Sequence, residues 1–101
     1  MAAGTLASQR KALDAAATIA RVFPHLPAAV VQVSNIYPGQ LDISVHDSLA
    51  AYEAWRAALG ILPEWVDHGS QPGSTVLTAK GRFAGVEVKL IGYAPELKAV
   101  A

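Results

Sequence analysis

The chain has 101 residues, with eight Lys and Arg balanced by eight Asp and Glu, and it contains no cysteine. That length fits one core and one domain over residues 1–101, with 1–4 and 96–101 expected to fray. The missing thiol excludes disulfides, thiolate zinc sites and cysteine nucleophiles. The zero net charge removes any global field that would steer the protein onto nucleic acid or an anionic membrane.

Charged residues make up 16% of the chain and hydrophobic ones 52%, although much of the latter is alanine, a weak hydrophobe. Apolar surface left over after folding is most often covered by a second copy. The N-terminus has no basic-then-apolar leader pattern, because Arg10, Lys11 and Asp14 interrupt it, and no run approaches the roughly 20 apolar residues of a membrane span. The expected location is the cytoplasm.

Thr5 to Phe23 is rich in Ala and Leu and free of Gly and Pro. Ala12, Ala16, Ile19 and Phe23 recur at helical spacing, leaving Arg10, Lys11, Asp14 and Arg21 to water. Pro24 and Pro27 stop this helix. Ala29 to Ile36 is β-branched and reads as a strand. Tyr37-Pro38-Gly39-Gln40 carries a type II turn signature, with Gly39 supplying φ > 0. Leu41 to His46 then alternates, with Leu41, Ile43 and Val45 on one face and Asp42, Ser44 and His46 on the other.

Asp47 and Ser48 are both good N-cap residues for a second helix. Its apolar stripe is Leu49, Tyr52, Trp55 or Arg56, and Leu59, and Gly60 sits where a C′ glycine belongs. Glu64 to His68 suggests a short strand, and Gln71-Pro72-Gly73-Ser74 another Pro-Gly turn. Ser74–Phe83 and Val86–Tyr93 pair as a hairpin about Ala84-Gly85. The fold class that follows is α+β. Helix, β-hairpin, helix and then two or three antiparallel strands succeed one another, and both helices pack on one face of an antiparallel sheet. The other face would carry Asp42, Ser44, His46, Glu87 and Lys89.

Several constellations invite chemistry. Asp42, Ser44 and His46 are the residue types of a hydrolase triad, but alternate strand positions stand about 6.6 Å apart with parallel side chains, out of hydrogen-bond reach. A polar strand face explains them better. His46, Asp47 and His68 would make a two-His-one-carboxylate metal site only if strand 65–69 ran beside 41–46, and Asp47 has a ready role as a cap. Gly81 to Gly85 lacks both Walker spacing and dinucleotide context. No catalytic residue, metal or cofactor is therefore expected.

Lys80, Arg82 and Lys89, joined by Arg56 and near Phe83 and Tyr93, suggest a modest nucleic-acid groove, weakened by the zero net charge. Trp55 belongs to the core stripe. Trp65 suits either core or a contact hot spot, and Tyr37, beside a tight turn, suits a contact.

The stretch Ile36 to His46, followed by Ala51 to Gly60 and then Val86-Glu87-Val88 and Gly92-Tyr93, resembles small uncharacterised α+β proteins of high-GC actinobacteria and their phages. The resemblance touches over half the chain and implies an accessory role of unassigned biochemistry; it assigns no functional residue.

The function expected is a non-enzymatic binding or regulatory protein acting through protein–protein contacts as a homodimer, paired by a strand edge or a sheet face. The candidate binding surface is Tyr37, Asp42, Ser44, His46, Trp65, His68, Lys80, Arg82 and Lys89. The alternatives are a small nucleic-acid-binding protein using the basic hairpin, and a small-molecule binder or minor enzyme using His46 and His68.

Overall fold

The computed structural model describes residues 4–46, 48–71 and 74–95. A 3-10 turn, Leu6–Gln9, leads into helix α1, Arg10–Val22. Strands β1 (Val30–Val33) and β2 (Gln40–Val45) follow, then helix α2 (Leu49–Ala58) and a 3-10 turn at Pro63–Trp65. Strands β3 (Asp67–Gln71), β4 (Ser74–Phe83) and β5 (Val86–Pro95) complete the order. They form one five-stranded sheet in the order β1-β2-β5-β4-β3.

The helix-and-strand sequence is as expected, with three strands after α2. The expectation of a wholly antiparallel sheet fails at one seam: β2 and β5 run parallel, pairing Leu41 with Val88 and Ile43 with Leu90. Parallel neighbours need a long crossover, and α2, β3 and β4 supply it. The driving force is burial. Leu41, Ile43 and Val45 on β2 and Val88 and Leu90 on β5 lie side by side in the core, each at most 1% exposed. Removing one such side chain from water contributes roughly 1.5–3 kcal/mol.

Both helices cover this face. Ala12, Ala15 and Ile19 of α1 and Ala51, Tyr52 and Trp55 of α2 join the same cluster, with Leu59 just beyond α2. Small residues at the contacts let the helices sit close to the strands.

Several local details differ from expectation. The chain enters α1 through a 3-10 turn, a frequent feature of helix N-termini, rather than as an α-helix from Thr5, and neither Thr5 nor Gln9 gives a side-chain cap. Among the described glycines only Gly60 and Gly85 have positive φ, so the turn at Gly39 is not type II. It still closes as a β-turn, with Gln40 N–H donating to the Tyr37 carbonyl at 2.9 Å, while Ser34 Oγ accepts from the Ile36 and Tyr37 amides. Leu49 is half exposed and Ala51 takes its place in the core. Glu64 and Trp65 lie in the 3-10 turn that Pro63 starts, so the strand begins only at Asp67.

The α2 ends follow the sequence signals. Ser48 Oγ accepts from the Ala51 amide at 3.0 Å. At the other end Gly60 N–H donates to Ala57 and Ile61 N–H to Arg56, a Schellman closure with Gly60 at φ 72°. The alternative cap Asp47, the Pro72-Gly73 turn, and the segments expected to fray, 96–101 and 1–4 apart from Gly4, lie outside the described residues.

Candidate functional site

Pairing register sorts the candidate residues by face. On the side away from the helices, Asp42 stands beside Lys89 and Ser44 beside Ile91, while Lys80 opposes Lys89 and Arg82 opposes Glu87. Val30 flanks Ser44, and Asp67 flanks Thr78. His46, one residue past β2, stacks on Tyr93 with ring centroids 4.7 Å apart and planes 8° off parallel. Six of the nine candidates, Asp42, Ser44, His46, Lys80, Arg82 and Lys89, therefore belong to this one open sheet face.

The other three do not join them. Tyr37 projects from the β1–β2 turn, 66% exposed, and Trp65 from the 3-10 turn, 58% exposed. His68 opposes Leu77, which faces the helices, so His68 lies on the opposite face from His46, with β5 and β4 between their strands. That arrangement corrects the metal and small-molecule readings built on His46 with His68. Among the described residues, no three His, Asp or Glu side chains converge.

The nucleic-acid constellation also loses two members. Arg56 turns to the helix side, where its Nε donates to Glu53 and its Nη1 to the Ile61 carbonyl at 2.6 Å. Phe83 faces the core and packs against Phe23 at 6.3 Å. Trp55, by contrast, sits in the core as expected, 6% exposed, with its Nε1 donating to the Pro27 carbonyl at 2.8 Å.

The triad types Asp42, Ser44 and His46 do share a face, but each is committed elsewhere or out of reach. Gln40 Nε2 donates to Asp42 Oδ1 at 2.7 Å, and the His46 ring is held against Tyr93. The face is chemically mixed rather than basic: Lys80, Arg82 and Lys89 are matched by Asp42, Asp67 and Glu87, with Ile91 among them and Val30 at the β1 edge.

Sequence reasoning missed a second surface along strand β1, at the edge of the sheet. Ser34 N–H donates to the Gln40 carbonyl, in line with the pairs Gln32–Asp42 and Val30–Ser44. Even-numbered residues here direct their backbone groups to β2, so Val31 and Val33 direct theirs outward. Val30 and Val31 are 48% and 45% exposed. Behind Val31 opens an apolar recess of about 260 Å³, lined by Ile19, Ala20, Phe23, Leu26 and Trp55 among others.

The flank of α1 on this side carries Gln9, Leu13, Ala16, Ala17 and Ala20. Its position is fixed by Ala16 and Ala20 lining the recess and by Gln9 Nε2 donating to the Ser34 carbonyl. The charges of α1 lie elsewhere on the helix; Arg10 pairs with Asp14, both exposed. From Leu26 to Leu41 no residue is charged. That uncharged run was legible in the sequence, but its place on an edge was not.

Among the described residues no helix is long and apolar enough to cross a membrane. No protein-family model, curated protein or solved structure matches this chain.

Proposed function

We propose that this chain is a non-enzymatic binding protein that works through protein–protein contacts and self-associates, with its contact side at β1 and the adjoining flank of α1. The observation that carries the reading is the unprotected edge. Natural sheets blunt an edge strand with charge, proline or a bulge. Val30–Val33, though only four residues long, has none of these; Val30 and Val31 within it are exposed, as is Leu13 on the adjoining helix flank.

Light scattering across a concentration series tests this directly. The expected result is a dimer that Val31→Lys converts to a monomer, while its circular dichroism is unchanged. Leu13→Glu, on the helix surface, gives the same outcome without touching the sheet. A strict monomer at every concentration overturns the reading.

A second reading, single-stranded nucleic acid on the open face, is favoured by Lys80 standing directly opposite Lys89. Like charges facing each other across strands are destabilising unless an anion joins them. Asp42, Asp67 and Glu87 on the same face oppose it. Retention on single-stranded DNA or RNA that falls with salt and is lost in a Lys80, Arg82, Lys89 triple-alanine variant supports it; no retention at low salt ends it.

A further inference from the structure

We infer that the occupant of the β1 edge is β1 of a second copy, paired antiparallel about a two-fold axis at Gln32, so that two sheets join into one of twice the width. The inference rests on the self-association proposed above and specifies its geometry.

The edge offers the N–H and C=O groups of Val31 and Val33, neither of which has a partner among the described residues. A strand satisfies both residues at once, because its own groups recur at the same spacing. The sequence Val30-Val31-Gln32-Val33 is suited to meet itself. With Gln32 on the axis, Val31 lies opposite Val33 of the second copy, and Val33 opposite its Val31. These are the outward-facing residues, so they form reciprocal main-chain hydrogen bonds. Gln32 then meets Gln32 on the open face, a non-hydrogen-bonded pair whose amides can donate and accept mutually.

A shift by one residue would set outward groups against inward ones and reverse the faces, so it is excluded. Charge permits the same partner. A two-fold interface brings every group near its own image, and a charged edge would meet like charge. Here the strand and its flanks are neutral from Leu26 to Leu41, and the α1 flank that approaches its image carries Gln9, Leu13, Ala17 and Ala20 rather than Arg10, Asp14 or Arg21. The valines that pair on the helix side, Val31 and Val33, extend the buried face of β2 across the axis.

The absence of cysteine makes the geometry measurable with single-cysteine variants. In a non-hydrogen-bonded antiparallel pair the Cα atoms lie about 4.5 Å apart. A disulfide spans roughly 4.4–6.8 Å, so Gln32→Cys is placed to bridge the two copies. Val30→Cys, also exposed on the same strand, is displaced from its image by four residues, roughly 13 Å, and cannot bridge.

Under mild oxidation Gln32→Cys is expected to form covalent dimer on the order of tenfold faster than Val30→Cys, the gain that proximity gives. Equal rates for the two variants overturn the pairing. If light scattering shows a dimer but Gln32→Cys has no advantage, this geometry fails and the self-association stands; if the chain is monomeric throughout, both fail.

Discussion

The ring of Tyr52 occupies the space that any side chain at Gly92 would need. A Cβ at position 92 would lie 2.2 Å from Tyr52 Cδ2 and 2.8 Å from Cε2. Gly92 is the β5 neighbour of Val45, so this contact seats α2 on the parallel seam between β2 and β5. Helix and sheet approach closely here, and an aromatic ring cannot retreat as a flexible chain end would.

Gly92→Ala is therefore expected to cost about 3 kcal/mol, the upper range for overpacking a core, read by urea denaturation. In a Tyr52→Leu background the same change should cost far less, because the clash is removed. Equal costs in the two backgrounds would show that Tyr52 is not what Gly92 accommodates.

The Tyr52 hydroxyl is buried without a hydrogen-bond partner in the described structure. Burial first, then the Glu53 carboxylate, push its pKa up to about 12 from 10.0, with Arg56 opposing. The unfolded chain ionises this phenol near pH 10, whereas the fold holds the proton until about 12. The Tyr52 contribution to stability is thus fully present below pH 10 and is lost between 10 and 12, by no more than about 1.4 kcal/mol per pH unit. Tyr52→Phe should remove that component of the slope and leave stability at neutral pH equal or higher by up to about 1 kcal/mol. A large loss in Tyr52→Phe would mean that the hydroxyl has a partner.

The two tryptophans should be separable by fluorescence. Trp55 is buried and Trp65 is 58% exposed. Trp65→Phe is expected to leave a blue-shifted, poorly quenched spectrum and to change stability by less than about 0.5 kcal/mol, as surface changes do. Trp55→Phe should cost roughly 2 kcal/mol, because the Pro27 carbonyl loses its donor and the recess beside it enlarges. Strong acrylamide quenching of the remaining Trp55 would contradict its placement.

Two positions test backbone strain in opposite directions. Ala84 holds φ 52° and Gly85 φ 78° in the two-residue β4–β5 turn. Ala84→Gly should stabilise by about 0.5 kcal/mol, since glycine has no Cβ to clash in the left-handed region. Gly60→Ala, at φ 72° in the α2 cap, should cost about 1 kcal/mol. Thermal melts of the two variants shifting in the same direction would refute the argument.

Periodicity placed the two helices, both hairpins and the Gly60 and Ala84-Gly85 turns, because each is set by neighbours a few residues apart. The alternation of Leu41 to Val45 against Val86 to Leu90 likewise separated the core face from the open one, and put Asp42, Ser44, His46 and Lys89 together on the latter. The type of the Gly39 turn was not legible, because Ser34 satisfies that loop with its side chain and leaves the glycine ordinary.

Strand order was decided only in three dimensions. Whether β5 would lie beside β2, and in which direction, depends on which apolar faces bury most area together, and pairings across dozens of residues leave no local mark. That one choice sent His68 to the far side of the sheet from His46 and drew Tyr93 under the imidazole. It also left β1 as an edge, turning an unremarkable neutral run into the surface on which the proposed function rests. Local chemistry thus determined the pieces and their faces, while long-range burial determined which of them meet and which stay open.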